Sequence, residues 1–390
     1  MYNFNKFACN PKLSRGRFFK EKESPFRTCY QRDRDRIIHS IAFRRLKHKT
    51  QVFVEHEGDH YRTRLTHSLE VSQVARTIAN VLKINSDLTE AIALAHDLGH
   101  TPFGHTGEDS LSNCMKKFGG FNHNTQSFRI VSILEKSYAE FTGLNLTWET
   151  IEGIVKHDGP LDNREKRNYQ FFERISELDL ESFPSLEAQV ASISDDIAYN
   201  SHDLDDGLRA DLFNFEDVIK LPLLDEAFSQ ISLKYPNEST TIKQKETLRL
   251  FLNNLVIDVI KQTQENLKEN FNSSFDTLRV SDIRNYGAKI VEFSPDYFKK
   301  LQSIKDFLYK RMYRHEKVNL LRRRAKIIVN DLFDILIENN DFMTEPWSDL
   351  IKNTTNTSSR YRLVADYLSG MTDRYAIQEH SRLTGKQIFP

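Results

Sequence analysis

The sequence predicts an all-α protein with at most one short β-hairpin. Of its 390 residues only 14 are glycine and 10 are proline, so few positions break a helix. Leucine, isoleucine, lysine, arginine and glutamate are plentiful, and apolar residues recur at helical spacing along most of the chain. A chain of this length is expected to bury a sizeable core as one large domain or two.

The first predicted helix follows a polar, arginine-rich lead-in and covers residues 33–49. Two extended segments come next, at residues 51–54 and 60–63, on either side of a turn that contains Gly58. They are predicted to form a short hairpin or an extended loop. Apolar residues at helical spacing then predict a second helix over residues 67–82.

A third predicted helix begins at Asp87, whose side chain is expected to cap it while Glu90 reaches back in a capping box. Gly99 is expected to stop this helix, and Pro102 and Gly104 are expected to keep residues 99–107 non-helical. Four polar residues therefore lie on the last turn and on the loop that follows it: His96, Asp97, His100 and His105.

The rest of the chain is also predicted to be helical. Further helices are expected at residues 108–118, 123–140, 148–157, 185–202, 243–270, 296–310, 313–338 and 358–371. Residues 230–282 carry no cluster of chemically reactive side chains, and this region is predicted to be a peripheral lobe.

Composition excludes several classes of protein. Lysine plus arginine equals aspartate plus glutamate at 55 each, so any polyanion must be met by local charge. Three cysteines without paired spacing argue against a disulfide framework or a cysteine zinc site. No segment is apolar enough for secretion or a membrane span. These features predict a soluble, cytoplasmic protein.

Histidines are concentrated in one part of the chain, since five of the 13 lie between residues 67 and 123. The dipeptide His-Asp occurs three times, at His96-Asp97, His157-Asp158 and His202-Asp203. The helix end and the shaped loop after it favour His96-Asp97 as a metal site. His157-Asp158 precedes a Gly-Pro turn, so it stays outside the predicted ligand set.

Other helices supply further candidate ligands. His67 lies at the start of one helix, and Asp195 and Asp196 lie within another that is apolar enough to be buried. Imidazole and carboxylate without thiolate suit Mn, Fe, Ni, Co, Zn or Mg. A lone histidine is usually structural, and the aspartate pair could be a helix cap. Candidates from three separate helices favour a metal site over those alternatives. Asp195, Tyr199 and Asp203 share one helical stripe that could face a ligand.

An ordered series of motifs resembles bacterial deoxyguanosine-triphosphate triphosphohydrolases of the HD superfamily. The resemblance covers residues 24–207 well and 285–376 loosely. The motifs include Ser24-Pro25-Phe26-Arg27-Thr28, Ala42-Phe43-Arg44-Arg45-Leu46, Arg64-Leu65-Thr66-His67-Ser68, the run from His96-Asp97 to Gly104-His105, Phe121-Asn122-His123-Asn124 and Asp195-Asp196-Ile197-Ala198-Tyr199.

The resemblance implies an HD-domain helical fold and one divalent metal ion per subunit. The family's ligands map to His67, His96, Asp97 and Asp195. Asp195 is preferred because the family's tyrosine follows the ligand by four positions, as Tyr199 does here, and Asp196 remains an alternative. The family hydrolyses a dNTP at the α-phosphorus and releases a deoxynucleoside and inorganic tripolyphosphate.

Roles for further residues follow from the family's reaction. We expect His105 to be the general acid for the departing 5′ oxygen, oriented by Glu108, with His100 and His123 in support. The resemblance assigns the sugar 3′-hydroxyl to Gln51 and Asp203, the face of the sugar to Tyr199 and Tyr313, and the α-phosphate to Arg64. A mammalian relative has lysine where this chain has Asp196, so its phosphate contacts and regulatory nucleotide sites do not transfer.

A basic run at residues 311–326 is either a solvated helix face or a binding surface. Arg314 and Lys317 are predicted to reach the β- and γ-phosphates. Arg322, Arg323 and Arg324 could serve a subunit contact, a regulatory nucleotide or weak binding of single-stranded DNA. The expected assembly is a homo-oligomer, as a hexamer or tetramer.

The predicted division of the chain has an N-terminal arm at residues 1–32 and an HD phosphohydrolase core at 33–210. A peripheral helical lobe at 211–284 and a C-terminal helical region at 285–390 follow. Two alternatives to the dNTP triphosphohydrolase stay open. One is another HD phosphohydrolase, acting on nucleoside monophosphates, signalling nucleotides or nucleic-acid ends. The other is a nucleotide sensor or DNA-binding regulator with little turnover.

Overall fold

Helices form the regular structure of the chain, as the sequence predicts. The computed structural model describes residues 4–52, 61–271 and 277–389. These residues contain eighteen α-helices and no strand. The helices are α1 Cys29–His39, α2 Ile41–Arg45, α3 Arg64–Val81, α4 Ser86–Ala95, α5 Gly104–Cys114, α6 His123–Arg129, α7 Trp148–Lys156, α8 Asn163–Arg167, α9 Leu186–Arg209, α10 Phe215–Val218, α11 Leu224–Lys234, α12 Thr240–Phe271, α13 Val280–Asn285, α14 Pro295–Leu308, α15 Glu316–Glu338, α16 Trp347–Lys352, α17 Thr357–Ser369 and α18 Asp373–Thr384.

The predicted hairpin falls mostly on residues 53–60, which lie outside the described residues. An isolated antiparallel bridge joins Thr50 to Thr63, which lie on either side of the predicted hairpin segment. Among the described helices, none combines the length and the apolar character that crossing a bilayer requires.

The centre of the fold is α4, packed between α1, α3 and α9. Every residue of α4 except Glu90 is buried, which is typical of a helix surrounded by others. Apolar residues of α3, α4 and α9 share one buried cluster with residues of α11, α12 and α14. The segment predicted as a peripheral lobe therefore contributes side chains to the same core as the helices that carry the site.

Several predicted boundaries of helices were wrong. Asn85, not Asp87, caps α4, and its side chain accepts a hydrogen bond from the backbone nitrogen of Leu88. The loop after α4 is shorter than predicted, because α5 begins at Gly104 and so contains His105 in its first turn. The helix predicted from residue 313 begins at Glu316, after a π-helical turn over Tyr309–Tyr313. The last helix, α18, was not predicted.

The C-terminal helices α17 and α18 pack with α15 against α5 through a separate buried cluster. From this layer the buried carboxylate of Asp373 reaches the segments that flank the candidate site. It accepts hydrogen bonds from the backbone nitrogen of Thr50 at 3.0 Å, the backbone nitrogen of Phe103 at 2.9 Å and the Thr50 hydroxyl. Asp373 therefore fixes the positions of Gln51 and of the start of α5.

Asp373→Ala is expected to lower the free energy of unfolding by about 2–4 kcal/mol, because it leaves buried donors on Thr50 and Phe103 without partners. Urea denaturation followed by circular dichroism measures this change. Asp349→Ala, which removes an exposed carboxylate from the same C-terminal region, is the matched control and should change stability by less than about 0.5 kcal/mol. Equal stability of the two variants would contradict the conclusion that Asp373 holds Gln51 and the start of α5 in position.

Candidate metal centre and active site

Three helices bring the four predicted metal ligands together. His67 lies in the first turn of α3, His96 and Asp97 follow the last residue of α4, and Asp195 lies within α9. Donor atoms of His67, His96 and Asp97 all lie within 4.8 Å of one another. Oδ1 of Asp195 is 2.7 Å from Nε2 of His67 and 3.6 Å from Nε2 of His96. The first three side chains are largely buried, whereas that of Asp195 is 42% exposed, so the centre is open on the side of α9.

Hydrogen bonds turn the Nε2 atoms of both histidines towards this centre. Nδ1 of His96 is 2.6 Å from the carbonyl oxygen of Ala93, and Nδ1 of His67 is 3.3 Å from Nδ1 of His202. Burial, together with the charges of Arg62 and His67, lowers the pKa of His202 to about 2, so His202 is neutral. Nε2 of His202 faces Glu70 at 3.1 Å, which leaves its Nδ1 to accept from His67. Such partners orient histidine ligands in metal sites.

The residues of the centre fit a divalent cation. Within the part of the chain that the structure describes, Nε2 of His96 and Oδ2 of Asp97 are buried and have no hydrogen-bond partner. Although burial opposes protonation of His96, the charges of Asp97 and Asp195 outweigh it and raise the pKa of His96 to about 10. The pocket therefore attracts positive charge, and its nitrogen and oxygen donors suit the cations predicted from the sequence.

Asp196, the alternative ligand, lies away from this cluster. Its Oδ1 is 3.0 Å from Nζ of Lys305 on α14. Adjacent residues of a helix point about 100° apart, so only one of the two aspartates faces His67 and His96. The structure places Asp195 in that position.

A second cluster lies beside the first and contains His100, His105, Glu108 and His123. Oε2 of Glu108 is 3.2 Å from Nδ1 of His105, and Oε1 is 2.9 Å from Nδ1 of His123. Burial alone would raise the pKa of Glu108, but hydrogen bonds from His105 and His123 outweigh it and hold the pKa well below its usual range. Glu108 is therefore ionised and orients both imidazoles, while the His105 side chain is 68% exposed.

His100 connects the two clusters. Its Nε2 is 3.0 Å from Oδ1 of Asp97, and its ring stacks on that of His123 with centroids 4.0 Å apart. Burial and the nearby charges of Arg64 and His123 hold the pKa of His100 well below its usual value. A neutral His100 therefore fills the space between the candidate metal centre and the Glu108 cluster.

Close packing of α6 on the loop after α4 makes this arrangement possible. A Cβ atom on Gly99 would lie 2.1 Å from the carbonyl oxygen of His123 and 2.3 Å from the backbone nitrogen of Ser127. The Ser127 hydroxyl accepts from the backbone nitrogen of Gly99 and donates to the carbonyl oxygen of His96. Gly99 thus terminates the turn that follows α4. Because it has no side chain, it also allows α6, which carries His123, to approach this turn closely.

A cavity adjoins both clusters and holds most of the predicted substrate-binding residues. Its lining residues include Gln51, Arg64, His105, Tyr199, Tyr313 and Arg322. The rings of Tyr199 and Tyr313 stack with centroids 6.2 Å apart, and the Tyr313 hydroxyl donates to Asp203. Nη1 of Arg64 is 2.9 Å from Oδ1 of Asp97, so this guanidinium lies between the cavity and the candidate metal centre.

Arg314 and Lys317, which were predicted to contact the β- and γ-phosphates, do not line this cavity. The Arg314 guanidinium lies over the ring of Tyr309 at 4.8 Å and donates to its hydroxyl, and Lys317 is exposed. Arg322, which the sequence offered only for other roles, lines the cavity instead. Its Nη1 donates to the carbonyl oxygen of Tyr313 at 2.9 Å. Its helical spacing from the buried Val318 and Ala325 was the signal in the sequence that could have identified this position.

The helical fold and this centre define a metal-dependent phosphohydrolase. The model of the HD domain matches residues 64–200, and that of the phosphohydrolase-associated domain matches residues 291–382. The protein is similar to deoxyguanosinetriphosphate triphosphohydrolase-like proteins of three bacteria. That of Roseobacter denitrificans is 50% identical over 97% of this chain and 96% of its own length. That of Cereibacter sphaeroides is 51% identical over 97% and 99%, and that of Brucella canis is 49% identical over 97% and 94%. The chain belongs to this deoxyguanosinetriphosphate triphosphohydrolase-like family of HD-domain proteins.

Proposed function

We propose that the protein hydrolyses dNTPs at the α-phosphorus and releases a deoxynucleoside and inorganic tripolyphosphate. The observation that carries this proposal is the position of Asp97. Its Oδ1 lies 2.9 Å from Nη1 of Arg64, which lines the cavity, and 3.0 Å from Nε2 of His100, which adjoins the Glu108 cluster. A phosphate at the candidate metal centre would therefore have the cavity lined by Gln51 and Tyr199 on one side and a proton donor close by.

His67, His96, Asp97 and Asp195 would hold the cation. When bound, a divalent cation lowers the pKa of a water ligand and offsets charge on a phosphate. The chain's own contribution to phosphate binding is Arg64, whose Nε is buried and has no hydrogen-bond partner in the described ranges. Its guanidinium is pre-oriented by Asp97 and offers its remaining donors to an α-phosphate oxygen.

His105 would supply the proton for the 5′ oxygen of the leaving nucleoside. Nδ1 of His105 faces Glu108, so the transferred proton is the one held at Nε2. Glu108 stabilises the protonated imidazole, and His123 holds Glu108 in place through its backbone nitrogen, which donates to Oε1 at 2.8 Å. The deoxynucleoside would leave as a neutral alcohol.

The sugar would lie in the cavity against Tyr199 and Tyr313. Oε1 of Gln51 is buried and has no hydrogen-bond partner among the described residues, so it could accept a hydrogen bond from a 3′-hydroxyl. Asp203 already accepts from Tyr313 and would accept from the same hydroxyl. Close packing of the two tyrosine rings at this face would disfavour an added 2′-hydroxyl.

Hydrolysis of dGTP and the other dNTPs in water labelled with heavy oxygen tests the proposal. Attack at the α-phosphorus is expected to place the label in tripolyphosphate and to leave the deoxynucleoside unlabelled, as measured by mass spectrometry of the separated products. Trials with Mn, Mg and Co identify the metal that supports turnover. Orthophosphate or pyrophosphate as the product, or label in the deoxynucleoside, would contradict the proposal and indicate another HD phosphohydrolase reaction.

A further inference from the structure

A lysine is buried where the C-terminal helices meet the segments that carry the candidate site. Lys49 is only 3% exposed. Its Nζ donates to the carbonyl oxygen of His100 at 2.5 Å and to the carbonyl oxygen of Ser369 at 2.8 Å. Burying an amino group costs free energy unless hydrogen bonds offset the cost. An apolar side chain would fill the same space without that cost, so the contacts of Nζ, rather than packing, explain a lysine at this position.

Both hydrogen bonds of Nζ are independent of its charge. Burial and the charge of Arg45 lower the pKa of Lys49 to about 7, although Asp373 opposes this effect. A neutral amine still carries two N–H donors, which is one for each carbonyl oxygen. Lys49 therefore links His100 to Ser369 in either protonation state.

The backbone of Lys49 also holds the start of α3. Its carbonyl oxygen accepts from the backbone nitrogen of Arg64 at 3.1 Å. Arg64 is the first residue of α3, and N–H groups at that end of a helix have no partner within the helix. The side chain of Arg64 reaches Oδ1 of Asp97 at 2.9 Å. A shift of Lys49 would therefore move the guanidinium that we assign to the α-phosphate.

The side chain of Lys49 fixes the turn that carries His100. The backbone nitrogen of His100 donates to the carbonyl oxygen of Asp97 at 3.2 Å, and Lys49 holds the carbonyl oxygen of His100. Nε2 of His100 lies 3.0 Å from Oδ1 of Asp97, and its ring stacks on that of His123. Asp97 thus contacts two side chains, those of Arg64 and His100, and Lys49 joins the backbones of both.

The C-terminus of α17 anchors Lys49. The last carbonyl groups of a helix have no partner within it and carry partial negative charge, so they favour cationic donors. Ser369 is the last residue of α17, and Gly370 caps the helix. A second cation binds the same end, because Nη1 of Arg45 donates to the carbonyl oxygen of Gly370 at 2.9 Å. The contacts of Lys49 extend further, to the turn that carries His100.

We propose that Lys49 is a positioning residue that uses the end of α17 to hold Arg64 and His100 in the geometry required for turnover. Lys49 acts through these two residues and does not itself touch the substrate. The inference rests on the proposed dNTP triphosphohydrolase function, in which Arg64 and His100 take part. Displacement of a reacting group by about 1 Å can lower a rate by about 10²-fold, so a small shift of either residue has a measurable effect.

The test compares Lys49→Met with Arg45→Met in the full chain. Each variant removes one cation from the C-terminus of α17, but Lys49→Met alone also removes the donor to the carbonyl oxygen of His100. The rate is expressed per metal-bound chain, so that a smaller folded fraction does not lower it. We expect kcat to fall by about 10²-fold in Lys49→Met, with KM changed by less than about threefold. In Arg45→Met, kcat should stay within about twofold of wild type.

Lys49→Gln is the conservative variant. Its amide keeps two N–H donors on a side chain that is shorter by one bond. Its kcat should therefore lie between those of wild type and Lys49→Met. This variant carries the comparison with Arg45→Met if Lys49→Met does not fold.

Hydrogen–deuterium exchange followed by mass spectrometry gives a readout that needs no substrate. Amides of residues 98–104 are expected to exchange at least about tenfold faster in Lys49→Met than in wild type or Arg45→Met. Wild-type kcat in the Lys49 variants, an equal loss in Arg45→Met, or unchanged exchange at residues 98–104 would overturn the positioning role. Absence of dNTP hydrolysis by wild type would contradict the proposed function alone, because exchange still reports whether Lys49 holds the turn.

Discussion

Replacing Asp97 by asparagine is expected to remove the metal and to lower kcat by about 10³-fold, equivalent to about 4 kcal/mol of barrier. Asparagine keeps the shape of the side chain but loses the charge. Oδ1 of Asp97 faces Nη1 of Arg64 at 2.9 Å, Nε2 of His100 at 3.0 Å and Nε2 of His96 at 3.5 Å. A neutral amide would leave the buried Arg64 without its ion-pair partner and the metal centre with one carboxylate.

Metal content per chain after gel filtration, measured by mass spectrometry, gives the first readout of this prediction, and kcat on dNTP gives the second. Asp195→Asn and Asp196→Asn form a matched pair for the ligand assignment, because the two residues are adjacent on α9. We expect Asp195→Asn to lose metal as Asp97→Asn does, and Asp196→Asn, whose residue pairs with Lys305, to retain it. Full metal content and wild-type kcat in Asp97→Asn would refute the proposed centre.

The choice of helix cap shows why the sequence predicted the helices better than their ends. Helical spacing of apolar residues is a local signal, and it correctly predicted a helix carrying Ala91 and Ile92 towards His96. Asn85 and Asp87 are both good caps by residue type. Distant contacts decide between them, because Asp87 accepts from Nε2 of Gln31 at 3.0 Å and lies 3.6 Å from Nη1 of Arg34.

The start of α5 was mispredicted for a similar reason. Pro102 and Gly104 are typical of a loop, yet the chain turns at once into a helix through Phe103 and Gly104, which have φ angles of 63° and 57°. A Cβ atom on Gly107 would lie 2.0 Å from the carbonyl oxygen of Pro102, so its absence allows this tight turn. The sequence shows the glycines but not the close approaches that require them.

The predictions for the candidate site differ between residues that belong to a sequence motif and residues that were chosen by charge. The motif residues His67, His96 and Asp97 come together in one cluster. Arg314 and Lys317 were predicted from charge to contact the β- and γ-phosphates; neither lines the cavity beside this cluster, and the phosphate contacts stay a prediction. Charge alone does not show which basic residues of a helix face a site when such residues occur at many positions, as they do between residues 311 and 326.

Replacing His105 by alanine is expected to leave metal and nucleotide bound but to lower kcat by about 10²- to 10⁴-fold, the usual loss on removal of a general acid. The side chain is 68% exposed, so stability should change by less than about 0.5 kcal/mol. Steady-state kinetics, metal content and a thermal denaturation curve measure the three effects. His157→Ala, which removes a histidine at the end of α7, is the matched control and should retain wild-type kcat. Wild-type turnover in His105→Ala would refute the assigned acid.

The Glu108→Gln variant tests whether His105 acts as a general acid or only shapes the pocket. A general acid must be protonated, so activity falls as pH rises through the basic limb of the pH–rate profile. Oε2 of Glu108 lies 3.2 Å from Nδ1 of His105, and Glu108 is negatively charged because, despite burial, hydrogen bonds from His105 and His123 hold the pKa of its carboxyl well below the usual range. Glutamine keeps a similar shape without that charge. We therefore expect Glu108→Gln to move the basic limb of the kcat/KM profile to lower pH and Glu108→Asp to restore it in part. An unchanged profile at reduced kcat would assign Glu108 and His105 a structural role, because lost packing lowers the rate equally at every pH.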